Sequence, residues 1–185
     1  RGTAYLYLKD TVRALENFDQ AIRTNRENPN GYYQRGTLLL QKEEYARAEA
    51  DFDMSIRCDS AFLPPYFNRA VVYSNTNRPM QALADFDRVL QLDSTNSFTY
   101  FNRAILRTQI GDYNRALDDF DRVALYSPGN VQVYYLRAML KTRLGDLEGA
   151  ERDYTRAIEL YPDFANAYLN RSALRYALHL SLIHI

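Results

Sequence analysis

Pairs of aspartates flank a phenylalanine at three places in the chain, and acidic pairs are suited to catalysis or metal binding. They are Asp51 and Asp53, Asp85 and Asp87, and Asp119 and Asp121. Two carboxylates around one substrate would indicate a glycosidase, and two around one ion a metal site. On a helix, however, residues i and i+2 point about 200° apart, so the members of a pair cannot share a ligand. We therefore expect neither chemistry.

The chain has one cysteine, Cys58, which is a candidate nucleophile. It has no histidine near it in the sequence, which favours a small packing residue over a reactive thiolate. One cysteine also excludes an internal disulfide or a cysteine-based metal cluster. Glycine-rich phosphate loops, histidine ligand sets and Ser-x-Gly elbows do not occur. We expect no catalytic residue, no metal and no cofactor, and hence a protein that is not an enzyme.

Charge and composition narrow the classes of partner. The 185 residues contain 23 Lys and Arg against 23 Asp and Glu, so the net charge is zero. Nucleic-acid and membrane-surface proteins need a basic excess, and no apolar run reaches the roughly 18–20 residues that span a bilayer. With 46% hydrophobic residues, 16 Tyr and 9 Phe, the chain has ample material for a core. These observations favour a protein or peptide partner and exclude nucleic acid, a membrane span and metal.

A 34-residue period organises the chain. Small residues recur at Gly2, Gly36, Ala70, Ala104, Ala138 and Ser172. Twelve residues later come alanines at 14, 48, 82, 116 and 150, and four residues further on come aromatic residues at 18, 52, 86, 120 and 154. Tyrosines precede the small residues by four positions at 32, 66, 100, 134 and 168. The period holds over five intervals without an insertion, which indicates a repeat protein.

Helical geometry explains this pattern. Numbering each repeat from 1 to 34, positions 4, 8 and 11 form one face of a first helix, and positions 20, 24 and 27 or 28 form one face of a second helix. The small residues at 8 and 20 allow close approach, with the aromatic residues beside them. Turn signals separate the helices at Gly111–Asp112 and Gly145–Asp146, Pro79 begins a helix, and Pro128 and Pro162 end helices. A single hairpin cannot bury its apolar faces, so the repeats must stack.

The period and its motifs resemble the tetratricopeptide-repeat family. The resemblance covers Arg1 to Ala177: an incomplete first repeat, repeats 2–5 at about 29–164, and the first helix of a sixth repeat at about 165–177. It departs from the family with tyrosine for tryptophan at position 4, arginine for leucine at 7, and proline at 32 in two repeats only. The resemblance implies an all-α, right-handed superhelical solenoid of stacked antiparallel hairpins.

The ends of the chain differ from the repeats. The chain begins at Arg1 inside a repeat, and we expect it to be a fragment of a longer protein. Residues 178–185 break the pattern, and their ending resembles translated sequencing-adapter read-through. We therefore expect a non-repeat tail there and assign no function to His179 or His184. The compartment is left open.

The resemblance also implies a binding surface, because positions 2, 5, 6, 9, 12 and 13 line the concave groove of tetratricopeptide arrays. Position 5 is largely aromatic, position 6 is largely Asn or Gln, and Arg143 is the charged residue of this face. The candidate peptide-binding residues are Tyr33, Gln34, Phe67, Asn68, Phe101, Asn102, Tyr135, Arg143 and Asn170. Aromatic faces suit apolar side chains, and carboxamides suit a peptide backbone. Alternatively, the aromatic residues bury between repeats and the asparagines cap local backbone.

Arginine stands at position 7 of every repeat: Arg1, Arg35, Arg69, Arg103, Arg137 and Arg171. Because the aspartates of the second helices recur in equal register, we expect structural Arg–Asp pairs between helices or repeats. An anion-binding strip is the alternative. A clamp known in the family holds the acidic tails of heat-shock chaperones with a set of Lys, Asn and Arg residues. This groove lacks that set, which excludes the clamp.

These observations predict a scaffold that binds a partner peptide or helix in the concave groove. Two other functions remain open. The segment is alternatively the regulatory or substrate-recruiting repeat region of a larger enzyme, or a structural repeat array that associates with itself.

Overall fold

The structure is a computed structural model that describes the backbone of residues 11–183 and the side chains of residues 11–178. This part of the chain forms ten α-helices and contains no strand. The opening of the incomplete first repeat, with Arg1 and Gly2, lies outside the described residues, as do His184 and the side chain of His179.

The helices fall into two compact units, Arg1–Ser94 and Thr95–Ile185. The described helices of the first unit are α1 (Thr11–Thr24), α2 (Pro29–Gln41), α3 (Tyr45–Cys58), α4 (Leu63–Asn75) and α5 (Pro79–Leu92). Those of the second unit are α6 (Ser97–Gln109), α7 (Tyr113–Tyr126), α8 (Val131–Leu144), α9 (Leu147–Leu160) and α10 (Ala165–Ile183). Helix α10 continues through residues 178–183, where the sequence departs from the repeat pattern.

The predicted close packing within each hairpin is confirmed. The alanines at position 20 are fully buried, and the position-24 rings of Phe52, Phe86, Phe120 and Tyr154 are at most 2% exposed. At position 8, a β-carbon added to Gly36 would lie 2.9 Å from the Phe52 ring. Small residues therefore stand where the second helix brings its aromatic ring against the first helix.

The tyrosines at position 4 complete this core and also keep a polar partner. Tyr32, Tyr66 and Tyr134 are each less than a tenth exposed. The hydroxyl of Tyr66 donates to the carbonyl of Ser60 at 3.2 Å, and that of Tyr134 donates to the carbonyl of Pro128 at 3.2 Å. The Tyr66 and Tyr134 rings thus pack in their hairpins while their hydroxyls contact the turn before their own helix.

The helix ends follow the predicted signals. Pro79 occupies the first turn of α5, and α7 and α9 end two residues before Pro128 and Pro162. Asn96 caps α6 by accepting a hydrogen bond from the backbone N–H of Thr99 at 2.9 Å. These signals start or end helices at fixed repeat positions. The turns therefore hold consecutive helices in register.

A left-handed residue lies at position 15, between the two helices of each of repeats 2–5. Glu43, Asn77, Gly111 and Gly145 have φ values of 60°, 57°, 84° and 85°. Glycine favours this region and asparagine tolerates it, whereas a glutamate there is disfavoured. Repeat 2 therefore makes the same turn with a residue that gives no turn signal.

Glu43→Gly is expected to raise the free energy of unfolding by about 0.5–1 kcal/mol, because it removes the left-handed strain at the cost of some chain entropy. Urea unfolding followed by circular dichroism measures the change. Glu27→Gly is the matched control, since Glu27 lies in a turn without a positive φ and should lose stability. An unchanged or reduced stability of Glu43→Gly would contradict the assigned strain.

Candidate functional site

The aromatic residues at position 5 pack against the position-24 ring of their own repeat. The ring centroids are 6.4 Å apart for Tyr33 and Phe52, 5.6 Å for Phe67 and Phe86, 6.2 Å for Phe101 and Phe120, and 6.0 Å for Tyr135 and Tyr154. All four position-5 residues are half-buried. They form the wall behind the surface of positions 2, 5, 6, 9, 12 and 13 on the first helices of the repeats, which we call the first-helix surface.

The carboxamides at position 6 make contacts within the protein. The amide of Asn68 donates to the hydroxyl of Thr37 at 3.0 Å, and that of Asn170 donates to the hydroxyl of Tyr135 at 3.1 Å. Asn102 donates to the carbonyl of Phe98, one turn earlier in its own helix. These side chains thus join neighbouring first helices or stay on their own helix, and they retain further polar atoms for a ligand.

Helices α6 and α8 enclose a hollow of about 210 Å³, which we call the α6–α8 hollow. Its lining is mostly apolar and also includes one threonine, one glutamine and one arginine. The lining residues are Ile105, Thr108, Gln109, Phe120, Leu136, Met139, Leu140 and Arg143. Such a floor suits one large apolar side chain.

A second hollow, of about 380 Å³, lies between α8 and α10 and is called the α8–α10 hollow. It is lined by Met139, Thr142, Leu147, Tyr154, Asn170, Ala173, Leu174 and Ala177. Burial raises the pKa of the Tyr154 hydroxyl, which keeps this phenol neutral. Met139 lines both hollows, so the two hollows are neighbours.

Of the candidate residues, Arg143 lines the first hollow and Asn170 the second. The predicted groove face also supplied Ile105 and Met139 at position 9, but they were not in the candidate set. Phe120 is predicted to pack within its hairpin, and the sequence gives no prediction for Leu140. Both line the α6–α8 hollow because the gap between neighbouring first helices exposes part of the core beneath. Gln34, another candidate residue, lies half-buried on α2.

The threonines of the hollows present little polar character. The hydroxyl of Thr108 donates to the carbonyl of Ala104, and that of Thr142 donates to the carbonyl of Ala138, each at 2.8 Å. Their protons are therefore used within the helix.

The predicted Arg–Asp pairs are confirmed, in a regular pattern. Arg69 donates through Nε and Nη2 to both carboxylate oxygens of Asp85 in its own repeat, at 2.8 and 2.7 Å. Its Nη1 contacts Asp53 of the preceding repeat. Arg35 and Arg137 make equivalent pairs, with Asp51 and Asp19 and with Asp153 and Asp121. One arginine thus joins three helices.

These pairs fix the charge state and position of the guanidinium groups. Hydrogen bonds to Asp51 raise the pKa of Arg35 above its ordinary value. The guanidinium of Arg137 also lies 5.4 Å from the Tyr134 ring. In the last described helix, Arg171 instead donates to Thr155, at the position of the preceding repeat's aspartate. Carboxylates of the chain itself thus occupy this strip, which favours a structural role over anion binding.

The acidic pairs do not form a metal centre within the described residues, where no cluster of three or more His, Cys, Asp or Glu side chains occurs. Asp51 and Asp53 contact different arginines, as their opposite directions on α3 require. Cys58 is half-buried, with its Sγ 3.6 Å from the carbonyl of Arg26. None of the helices within residues 11–183 has the length and apolar character needed to cross a membrane.

Three family models, each described as tetratricopeptide repeat, match residues 1–61, 63–96 and 131–164. The chain belongs to the tetratricopeptide-repeat family. This tetratricopeptide-repeat protein is an all-α repeat solenoid, as predicted, and its repeats make it a protein-interaction scaffold. The family is in general a non-enzymatic interaction module. No curated protein sequence matches the chain.

Solved structures share the fold of this tetratricopeptide-repeat protein. YrrB, a tetratricopeptide-repeat protein with an unusual peptide-binding site, is 21% identical with a TM-score of 0.77, over 92% of this chain and 88% of that one. MamA from Desulfovibrio magneticus is 16% identical with a TM-score of 0.80, over 89% and 93%. The C-terminal part of a repeat protein from Cytophaga hutchinsonii is 14% identical with a TM-score of 0.86, over 97% and 71%.

Proposed function

We propose that this tetratricopeptide-repeat protein binds a peptide segment of a partner protein across its first-helix surface, with apolar side chains in the α6–α8 and α8–α10 hollows. The observation that carries the proposal is the pair of neighbouring hollows that share Met139. The peptide-binding site described for YrrB adds support from a protein of the same fold.

The geometry favours an extended peptide. Neighbouring packed helices are about 10 Å apart, and an extended chain in the polyproline II conformation advances about 3.1 Å per residue with three residues per turn. Side chains three residues apart therefore lie on one face of the peptide, about 9 Å apart, and reach the two hollows. Burying each large apolar side chain contributes about 1.5–3 kcal/mol, part of which offsets the cost of ordering the peptide. We expect dissociation constants of about 10–100 µM for short peptides.

The other candidate residues have supporting places in this proposal. Phe101 and Tyr135 form the wall behind the first-helix surface of the second unit, and Asn102 and Asn170 offer their remaining polar atoms to the peptide backbone. In the first unit, Tyr33, Gln34, Phe67 and Asn68 occupy the equivalent repeat positions. We propose that they extend the same kind of surface on α2 and α4.

We also propose that the partner is protein rather than nucleic acid. The net charge is zero, and carboxylates engage the arginines at position 7 of repeats 2–5. Retention of the protein on immobilised single-stranded RNA at about 150 mM salt would contradict this choice of partner.

Met139→Asp is expected to weaken peptide binding about tenfold or more, because it places a charge between the two hollows. Twelve-residue peptides are first selected on the wild-type protein from a random displayed library. Their affinities for the wild-type and variant proteins are then measured by fluorescence anisotropy. Met139 is 45% exposed, so the variant should fold.

Leu125→Asp is the matched control, since Leu125 is 64% exposed on α7 and lies outside both hollows. It should leave the affinities unchanged. Selected peptides that bind Met139→Asp as tightly as the wild type, or a library from which the wild type selects nothing, would contradict the proposed function.

A further inference from the structure

The polar groups at the edge of the α6–α8 hollow come from position 13 of two successive repeats. Gln109 of α6 and Arg143 of α8 line the hollow. Since the Thr108 proton is used within its own helix, these two side chains supply the N–H groups at this edge. The polar part of recognition therefore depends on an amide and a guanidinium.

Arg143 is held in place by an aromatic ring instead of a carboxylate. Its guanidinium carbon lies 4.6 Å from the centroid of the Tyr113 ring, while the side chain stays exposed. Among the described residues, no carboxylate forms an ion pair with it, in contrast to the arginines at position 7 of repeats 2–5. A guanidinium stacked on a ring keeps its N–H edges available to a planar anion.

The hollow beside Arg143 has the volume for one bulky side chain. An engineered protein cavity of about 150 Å³ accepts benzene, and this hollow measures about 210 Å³. A phenylalanine, leucine or methionine side chain of a peptide therefore fits over Ile105 and Leu136. A carboxylate near that side chain would then lie within reach of Arg143.

We propose that the partner segment carries a bulky apolar residue next to an aspartate or glutamate, with the apolar side chain in the α6–α8 hollow and the carboxylate on Arg143. This inference rests on the proposed peptide-binding function and adds the charge of the ligand to it. The basis is charge complementarity with a cation, Arg143, that forms no ion pair with a carboxylate among residues 11–178.

The carboxylate belongs to a side chain rather than to the C-terminus of the peptide. The surface continues past Arg143 into the α8–α10 hollow, where Met139 forms the shared boundary. A peptide that occupies both hollows passes Arg143 in mid-chain. An internal acidic residue meets the guanidinium there, and a chain end does not.

Selection with a charge-reversed variant tests the inference. Random twelve-residue peptides, displayed with both ends fused to the carrier, are selected on the wild type, on Arg143→Glu and on Arg122→Glu. The last variant is the matched control, because Arg122 is exposed on α7. The wild type and Arg122→Glu should enrich Asp or Glu beside a bulky apolar residue, and Arg143→Glu should enrich Lys or Arg at that place.

Synthetic peptides then measure the size of the effect. In a selected peptide made with an amidated C-terminus, Asp→Asn should weaken binding to the wild type about tenfold and to Arg143→Gln less than about twofold. Circular dichroism establishes that each variant is folded.

The outcomes separate the two proposals. Selection of apolar peptides without an acidic residue, or an acidic preference that persists in Arg143→Glu, would overturn this inference and leave the proposed function standing. A synthetic peptide truncated to end in a free carboxylate at that position is compared with the amidated full-length peptide. Tighter binding by the truncated peptide would overturn the internal side chain as the source of the carboxylate. Failure of the wild type to select any peptide would overturn the proposed function and this inference with it.

Discussion

Replacing Asp119 by alanine is expected to lower the free energy of unfolding by about 3–4 kcal/mol. Asp119 is 2% exposed on α7. It accepts hydrogen bonds from Nε and Nη2 of Arg103 at 2.9 and 2.6 Å, and from Nη1 of Arg107 at 2.7 Å. Removal of the carboxylate takes away the negative charge that both mostly buried guanidinium groups contact at this point, which is strongly unfavourable.

Asp118→Ala is the control for this substitution, because Asp118 is the exposed neighbour on the same helix. It should change the free energy of unfolding by less than about 0.5 kcal/mol. Both variants are compared with the wild type by urea unfolding at one pH and salt concentration. If Asp119→Ala lost no more stability than Asp118→Ala, the Arg–Asp pairs would not hold the helices together as described.

Phe120→Ala is expected to cost about 3–5 kcal/mol of unfolding free energy, because it leaves a cavity at the tightest point of the hairpin. The Phe120 ring is 2% exposed, packs against Phe101 and forms part of the floor of the α6–α8 hollow. The substitution therefore removes core contacts and deepens the hollow at the same place.

Phe98→Ala is the control of the same residue type, since Phe98 is 64% exposed on α6. It should cost less than about 1 kcal/mol. Thermal and urea unfolding of the two variants measure the difference. Equal losses for Phe98→Ala and Phe120→Ala would contradict the packing assigned to position 24.

The hairpin core was predictable from the sequence because helical periodicity is a local property. Once small residues at positions 8 and 20 and a ring at 24 recur together, close approach of two helices follows from their spacing. The same reasoning predicted that Arg69 and its equivalents pair with aspartates. It did not predict that one arginine contacts position 23 of its own repeat and position 25 of the preceding one, because that depends on how neighbouring repeats are placed.

The turn at Glu43 and the hollows were harder to predict. Glutamate carries no turn signal, so the left-handed φ at position 15 of repeat 2 is visible only in the structure. The groove position of Phe101 is what the family resemblance implies, and the resemblance does not report that the Phe120 ring lies beside it. The hollow appears where Leu140 and Phe120 meet the gap between two first helices, which is a property of three helices together.

A crystal structure of this protein with its tightest selected peptide distinguishes binding in the two hollows from binding elsewhere. We predict that a bulky peptide side chain lies between α6 and α8 in contact with Ile105 and Met139, and that the peptide continues into the α8–α10 hollow. A peptide bound on the exposed surface of α7 or α9, away from both hollows, would contradict the account.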